Sequence, residues 1–116
     1  LKLPKISKII NSKTIIHSNF TSPAGVFAYY LTKNLENEYT LTVHEDHNWL
    51  LKEVKSKNPM LINTWKNANI IIRVNKLDNA LLSQFNENVI TTFFEDIDSH
   101  INLGGDFFKS IIVVEK

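Results

Sequence analysis

Two short stretches of the chain, IIHSNF (residues 15–20) and TVHEDH (residues 42–47), hold most of the side chains with chemistry to offer. Each runs from apolar, β-branched residues into a histidine, His17 or His44, and the second adds Glu45, Asp46 and His47. Imidazoles titrate near neutral pH and so can move protons, and together with carboxylates they are metal ligands. The spacing argues against a metal. A zincin site needs histidines four apart on one helix with a glutamate beside the first, whereas His44 and His47 are three apart across a strand-to-helix turn. A solvated turn in which Asp46 caps the next helix accounts for most of this cluster. The chain has no cysteine, which removes thiolate nucleophiles, disulfides and cysteine-ligated zinc. Its three glycines leave no phosphate-cradling loop, and no serine, histidine and acid set stands at a recognisable spacing.

Between the two histidines lies HSNFTSPAG, read as a strand end followed by a helix start. Thr21 or Ser22 is placed to cap that helix, and Pro23 suits its first turn, where a missing N–H costs nothing. Gly25 allows close approach either of a ligand at the helix N-terminus or of a neighbouring strand, and the sequence leaves both open. Arg73 falls near the end of a third strand, in RVNKLD. A buried arginine needs a partner, so it either pairs with a structural carboxylate or faces an anionic ligand; these also stay open. Trp49 and Trp65 sit on helical stripes and are expected in the core.

The elements that must position these residues alternate. Strands are expected at KTIIHSNF, YTLTVHE and NIIIRVN, with helices between them. The first helix carries the stripe Val26, Phe27, Tyr30, Leu31 and Leu35, and the second carries Trp49, Leu50 and Val54. Pro59 interrupts the second helix, which MLINTW resumes. Leu81, Leu82, Phe85, Val89, Phe93 and Ile97 keep a helical spacing that tempts one long helix. The β-branched run VITTFF favours instead a helix ending near Asn86 and a short strand after it. After the loop HINLGGDF, SIIVVEK is expected as a last strand. The fold class is therefore α/β, a Rossmann-like three-layer α/β/α arrangement with a parallel sheet and right-handed crossovers. Ligands of such sheets bind beyond the carboxyl ends of the strands, so His17 and His44 would look into one crevice.

Composition agrees with a modest single core: 116 residues, 43% hydrophobic and 22% charged, with formal charge +1 from 13 basic and 12 acidic residues. Such a balance carries no electrostatic footprint for nucleic acid. No apolar run reaches the ~18 residues of a membrane span, and LKLPKISKII lacks a signal-peptide core, so a cytoplasmic setting is expected.

TIIHSNFTSPAGVFAYYLTKNLENEYTLTVHEDHNWLL resembles a pattern in the amino-terminal domain of retaining GT-B glycosyltransferases of group one, family four. There a strand ending IIHaHf is followed by xPaG opening a helix and by a strand ending TvHGsD. The resemblance continues through WKNANIIIRVNKLDNALLSQFNENV and VITTFFEDID, and covers roughly residues 13–98. It implies an enzyme that transfers a sugar from a nucleotide-diphosphate sugar to an acceptor hydroxyl of a carbohydrate or lipid-linked acceptor, with retention of configuration. His44 would be the catalytic residue, and His17, Phe20, Gly25, Glu45 and Arg73 would line the substrate side. No metal and no cofactor is implied, and a peripheral membrane contact of the full-length protein is compatible with the family. Residues 1–100 would be part of the acceptor-side domain, and residues 101–116 a linker and the first strand of the donor-side domain. Glu45 stands where the family has glycine, His47 where it has aspartate, Asn75 where serine is common, and FFEDID lacks the NG turn. The Arg, Lys and Glu that hold the donor diphosphate lie outside the matched stretch, so the isolated chain is expected to be inactive. The competing reading is a stand-alone receiver-like α/β signalling or partner-binding module without catalytic activity. A small β-sandwich adaptor is disfavoured by the helical stripe from Val26 to Leu35.

Overall fold

The structure is a computed structural model, and residues 10–74, 78–91 and 111–115 are described. Asn75, Phe93, Ile97, FFEDID and the HINLGGDF loop lie outside them. The strands are β1 (Thr14–Asn19), β2 (Tyr39–Val43), β3 (Ile70–Arg73), β4 (Val89–Thr91) and β5 (Ile111–Glu115). The α-helices are α1 (Val26–Thr32), α2 (His47–Ser56), α3 (Pro59–Asn67) and α4 (Asn79–Ser83). One five-stranded sheet runs in the order β4-β3-β2-β1-β5. Its first four strands are parallel and β5 lies antiparallel on β1, with His17 opposite Ile112. The fold is thus α/β with a four-stranded parallel sheet, compatible with a Rossmann-like α/β/α fragment. The run assigned above to the start of a donor-side domain pairs with this same sheet.

The strand order decides where the helices go. Each step from β1 to β4 moves the chain one place in the same direction, and right-handed crossovers then put every connecting helix on one face. Accordingly Ala28 and Leu31 of α1, Leu50 of α2, Trp65 of α3 and Leu82 of α4 join one core with Ile16, Tyr39, Leu41, Val43 and Ile71 of the strands. Side chains alternate along a strand, so the intervening residues line the opposite face. There Ile15 is 41% exposed and Ile90 52% exposed, while His17, Thr40, Ile70 and Ile72 are half-buried. The described helices therefore supply one helical layer.

Helix starts follow local chemistry where a cap is present. The Asp46 side chain accepts the Trp49 N–H at 2.8 Å, and Asn58 Oδ1 accepts the Met60 N–H at 3.0 Å with Pro59 in the first turn. At TSPAG the expectation fails. Thr21–Gly25 forms a single π-type turn in which Ser22 is extended (φ −133°, ψ 135°), the Ser22–Pro23 peptide is cis, and no side chain caps it. α1 consequently begins only at Val26, with Ala28 and Thr32 on its buried side and Tyr30 exposed. Gly25 is explained by packing. A Cβ there would stand 3.0 Å from Leu41 Cδ1, 3.0 Å from the Phe20 carbonyl oxygen and 3.1 Å from Thr64 Cγ2. The missing side chain lets this turn press onto β2 and α3.

Candidate functional site

Side chains of β1 and β2 form a polar seam on the helix-free face. His44, directly after β2, donates from Nε2 to Asn19 Oδ1 (3.0 Å), and its ring lies 5.2 Å from that of Phe20 at a tilt of 35°. Lower on the same seam, His17 Nε2 and Thr42 Oγ1 share a hydrogen bond of 2.6 Å. Both histidines thus belong to one face of two adjacent parallel strands, but they are not equivalent. His17 is within β1 and pairs in register with Thr40, four residues before His44. At the ~3.3 Å rise of a parallel strand, that separates them by about 13 Å along the sheet. His44 is therefore at the rim, whereas His17 lies down the seam, where burial lowers its pKa below the usual imidazole value.

Beneath the rim, on the helical side, a second network ties the strand ends together. Arg73 is fully buried at the end of β3. Its Nε donates to Asp78 Oδ1 at 2.7 Å, its Nη2 to Asp78 Oδ2 at 2.7 Å, and its Nη1 to the carbonyls of Val43 (3.1 Å) and Glu45. Of the two alternatives for this arginine, the structure supplies the carboxylate. Burial alone would raise the Asp78 carboxyl, but hydrogen bonds from Arg73 and from His47 Nδ1 (3.0 Å) outweigh it and hold the pKa below the usual aspartate value. Glu45 is no solvated turn residue: it is 5% exposed, and its carboxylate accepts the Thr21 N–H at 3.3 and 3.4 Å. Thr21 Oγ1 in turn accepts the indole N–H of Trp65 at 3.0 Å. Trp49, by contrast, is 59% exposed, because its place on the first turn of α2 faces away from the core that Leu50 enters.

Phe20 joins the two networks and is strained. Its φ of 72° and ψ of 148° fall in a region that only glycine occupies freely. The conformation persists because the Phe20 N–H donates to the Thr42 carbonyl (2.8 Å) while its own carbonyl accepts from Gly25 N (3.0 Å). Strain of this kind costs about 1–3 kcal/mol and concentrates at functional sites. A sign reversal should reveal it. At an ordinary position Ala is more stabilising than Gly, but here Phe20→Gly should be more stable than Phe20→Ala by about 1 kcal/mol or more, read from denaturant midpoints. Equal stabilities, or Ala ahead, would show that the backbone is relaxed.

Sequence reasoning thus named His17, Phe20, His44, Glu45 and Arg73, and the structure gathers them at or behind the carboxyl ends of β1 to β3, with Gly25 buried in the turn alongside. It missed Asn19 and Asp78, and it read Thr21 only as a helix cap, whereas Thr21 binds Glu45 and Trp65. The signal for Asp78 was present, since an arginine closing a buried strand implies a carboxylate nearby. Among the described residues no group of three His, Asp or Glu side chains is arranged to hold a metal ion, and no helix is long and apolar enough to cross a membrane. A cavity of about 490 Å³ lies at the opposite end of the strands, lined by polar residues including Asn67, Asn69 and Asn88, and contains none of the candidates. No family model, curated protein or solved structure matches the chain.

Proposed function

We propose that this chain is the acceptor side of a retaining GT-B glycosyltransferase, with His44 as the residue nearest the reacting sugar. The observation that carries the reading is the position of His44. It stands at the carboxyl rim of a parallel sheet, packed on Phe20 and oriented by Asn19, where ligands of such sheets bind. His17 would line the inner wall of the same seam, and Phe20 would set the ring plane of His44. Arg73 and Glu45 would act by holding the β2 and β3 ends in place, because Arg73 is enclosed by Asp78 and two carbonyls and Glu45 is bound to Thr21. The donor would be a nucleotide-diphosphate sugar held by residues outside this chain, and the acceptor a carbohydrate or lipid-linked hydroxyl.

In the polypeptide that joins this chain to a donor-binding domain, His44→Ala should lower kcat about 10²-fold, the scale of a lost proton-handling or positioning group. The denaturation midpoint should move little, since the ring is only half-buried. A loss of stability in step with the loss of turnover would make His44 structural and end the proposal. The second reading, a partner-binding module, is favoured by one observation: Ile15 and Ile90 are exposed on the helix-free face. It would be supported if a protein partner shielded those two residues from exchange while His44→Ala left all activity unchanged.

A further inference from the structure

His47 opens α2 at the carboxyl end of the sheet, where the loop after β2 turns into the helix. Its side chain is 51% exposed, whereas the Asp78 carboxylate that holds it is 2% exposed. Asp78 Oδ2 accepts from His47 Nδ1 at 3.0 Å. The carboxylate is fixed in turn, because Nε and Nη2 of Arg73 donate to its two oxygens at 2.7 Å each. The same guanidinium binds the carbonyls of Val43 and Glu45, so one buried group anchors both the loop that leads to His47 and the acid that orients it. Support of this kind holds a side chain in place before a ligand arrives.

The network fixes which nitrogen of the ring is free. Paired with the guanidinium fork, Asp78 is ionised, and an ionised carboxylate only accepts. Nδ1 must then carry the proton, which leaves Nε2 of the neutral ring with a bare lone pair. Among the described residues nothing binds Nε2. A buried acid that sets the tautomer of an exposed imidazole is the arrangement by which a histidine is aimed at a ligand's proton. His44 differs, since its Nε2 is engaged by Asn19. We propose that His47 is a second ligand group of the rim, a hydroxyl-recognition site whose bare Nε2 accepts the O–H of the acceptor, with Asp78 and Arg73 as its positioning residues.

A neutral hydroxyl suits this nitrogen better than an anion does. Asp78 already takes Arg73 as its counter-charge, so a phosphate or carboxylate arriving at the neutral ring would meet a lone pair and find no donor. The O–H of a sugar or polyol supplies the hydrogen that Nε2 lacks. The ligand assignment rests on the acceptor-side reading above; the orientation of the ring does not.

The test has two parts. In the whole chain labelled with ¹⁵N-histidine, NMR at about pH 8.5, where imidazoles are neutral, should place the His47 ring proton on Nδ1. In Asp78→Asn the side-chain oxygen stays with Arg73 and the NH2 faces the ring, so the proton should move to Nε2. A wild-type proton on Nε2, or a tautomer unmoved in a folded Asp78→Asn, would overturn the proposal; should that variant not fold, the wild-type spectrum decides. In the polypeptide that joins this chain to a donor-binding domain, His47→Ala should raise the acceptor KM about 10-fold and leave kcat within about 3-fold, as for a hydrogen bond made equally in ground and transition states. His44→Ala acts on kcat instead. Sugar transfer with an unchanged KM in His47→Ala would overturn the hydroxyl site and leave the acceptor-side reading standing. No transfer by the wild-type polypeptide would defeat that reading and take the ligand assignment with it.

Discussion

Arg73→Leu should destabilise the chain by about 3–5 kcal/mol, the cost of leaving one partner of a buried ion pair uncompensated. Three losses coincide. Asp78 would keep a buried carboxylate with only His47 to face it, and the carbonyls of Val43 and Glu45 would lose the guanidinium that bridges them. A domain of this size has about 5–15 kcal/mol of stability in total, so the variant would sit near the edge of folding. The companion double variant Arg73→Leu with Asp78→Leu should recover a good part of the loss, since removing both charges removes the desolvation cost of each. Acid should weaken the wild type through the same pair. Asp78 has a depressed pKa in the folded state, so its contribution is complete above the unfolded value and fades as pH falls through the folded one. The measurement is the urea midpoint of the four members of the cycle. An Arg73→Leu variant within about 1 kcal/mol of wild type, yet blind to an anionic ligand, would return this arginine to the role of a crevice residue and displace the structural one.

How much of this was legible beforehand depends on the range of the forces involved. The three long strands, the cap at Asp46, the break at Pro59 and the short strand at Val89–Thr91 all follow from local rules of β-branching, capping and proline geometry. Those rules act over a few residues, so one sequence suffices to apply them. The Thr21–Gly25 turn broke them because its conformation is set from outside. Glu45 and Trp65, distant in sequence, hold Thr21, and Leu41 and Thr64 press on Gly25, so the local preference of Pro23 for a first helical turn is overruled. His17 was mislocated for a similar reason: the chain shows where an apolar run stops, but register is fixed by the neighbouring strand, and pairing with Thr40 puts His17 inside β1. Trp49 and Trp65 look alike as members of helical stripes. Only the packing of α2 and α3 on the sheet separates the exposed ring from the buried one.

Trp65→Ala should cost about 3–5 kcal/mol, and its consequences should reach the rim. The ring is fully buried, it stacks on Phe85 with centroids 5.2 Å apart and planes at 27°, and its N–H is the donor to Thr21 Oγ1. The backbone carbonyl of the same residue accepts from Asn86 Nδ2 at 2.8 Å, which joins α3 to the chain end of α4. One side chain thus spans the helical layer and the turn that carries Phe20. Truncation opens a cavity that the surrounding α3, α4 and β-strand residues can collapse into only in part, which places the loss toward the upper end for aromatic-to-alanine changes. Trp65→Phe separates the two contributions: the stack on Phe85 survives, the hydrogen bond does not, and the cost should fall to about 1–2 kcal/mol. If the indole N–H does hold the strained turn, the Thr21 amide should exchange faster with solvent in Trp65→Phe than the loss of global stability requires, while amides of β2 slow or quicken only with global stability. A uniform change across both sets would mean that Trp65 stabilises the core alone, and the link from the core to the His44 rim would have to run through Arg73 and Glu45 instead.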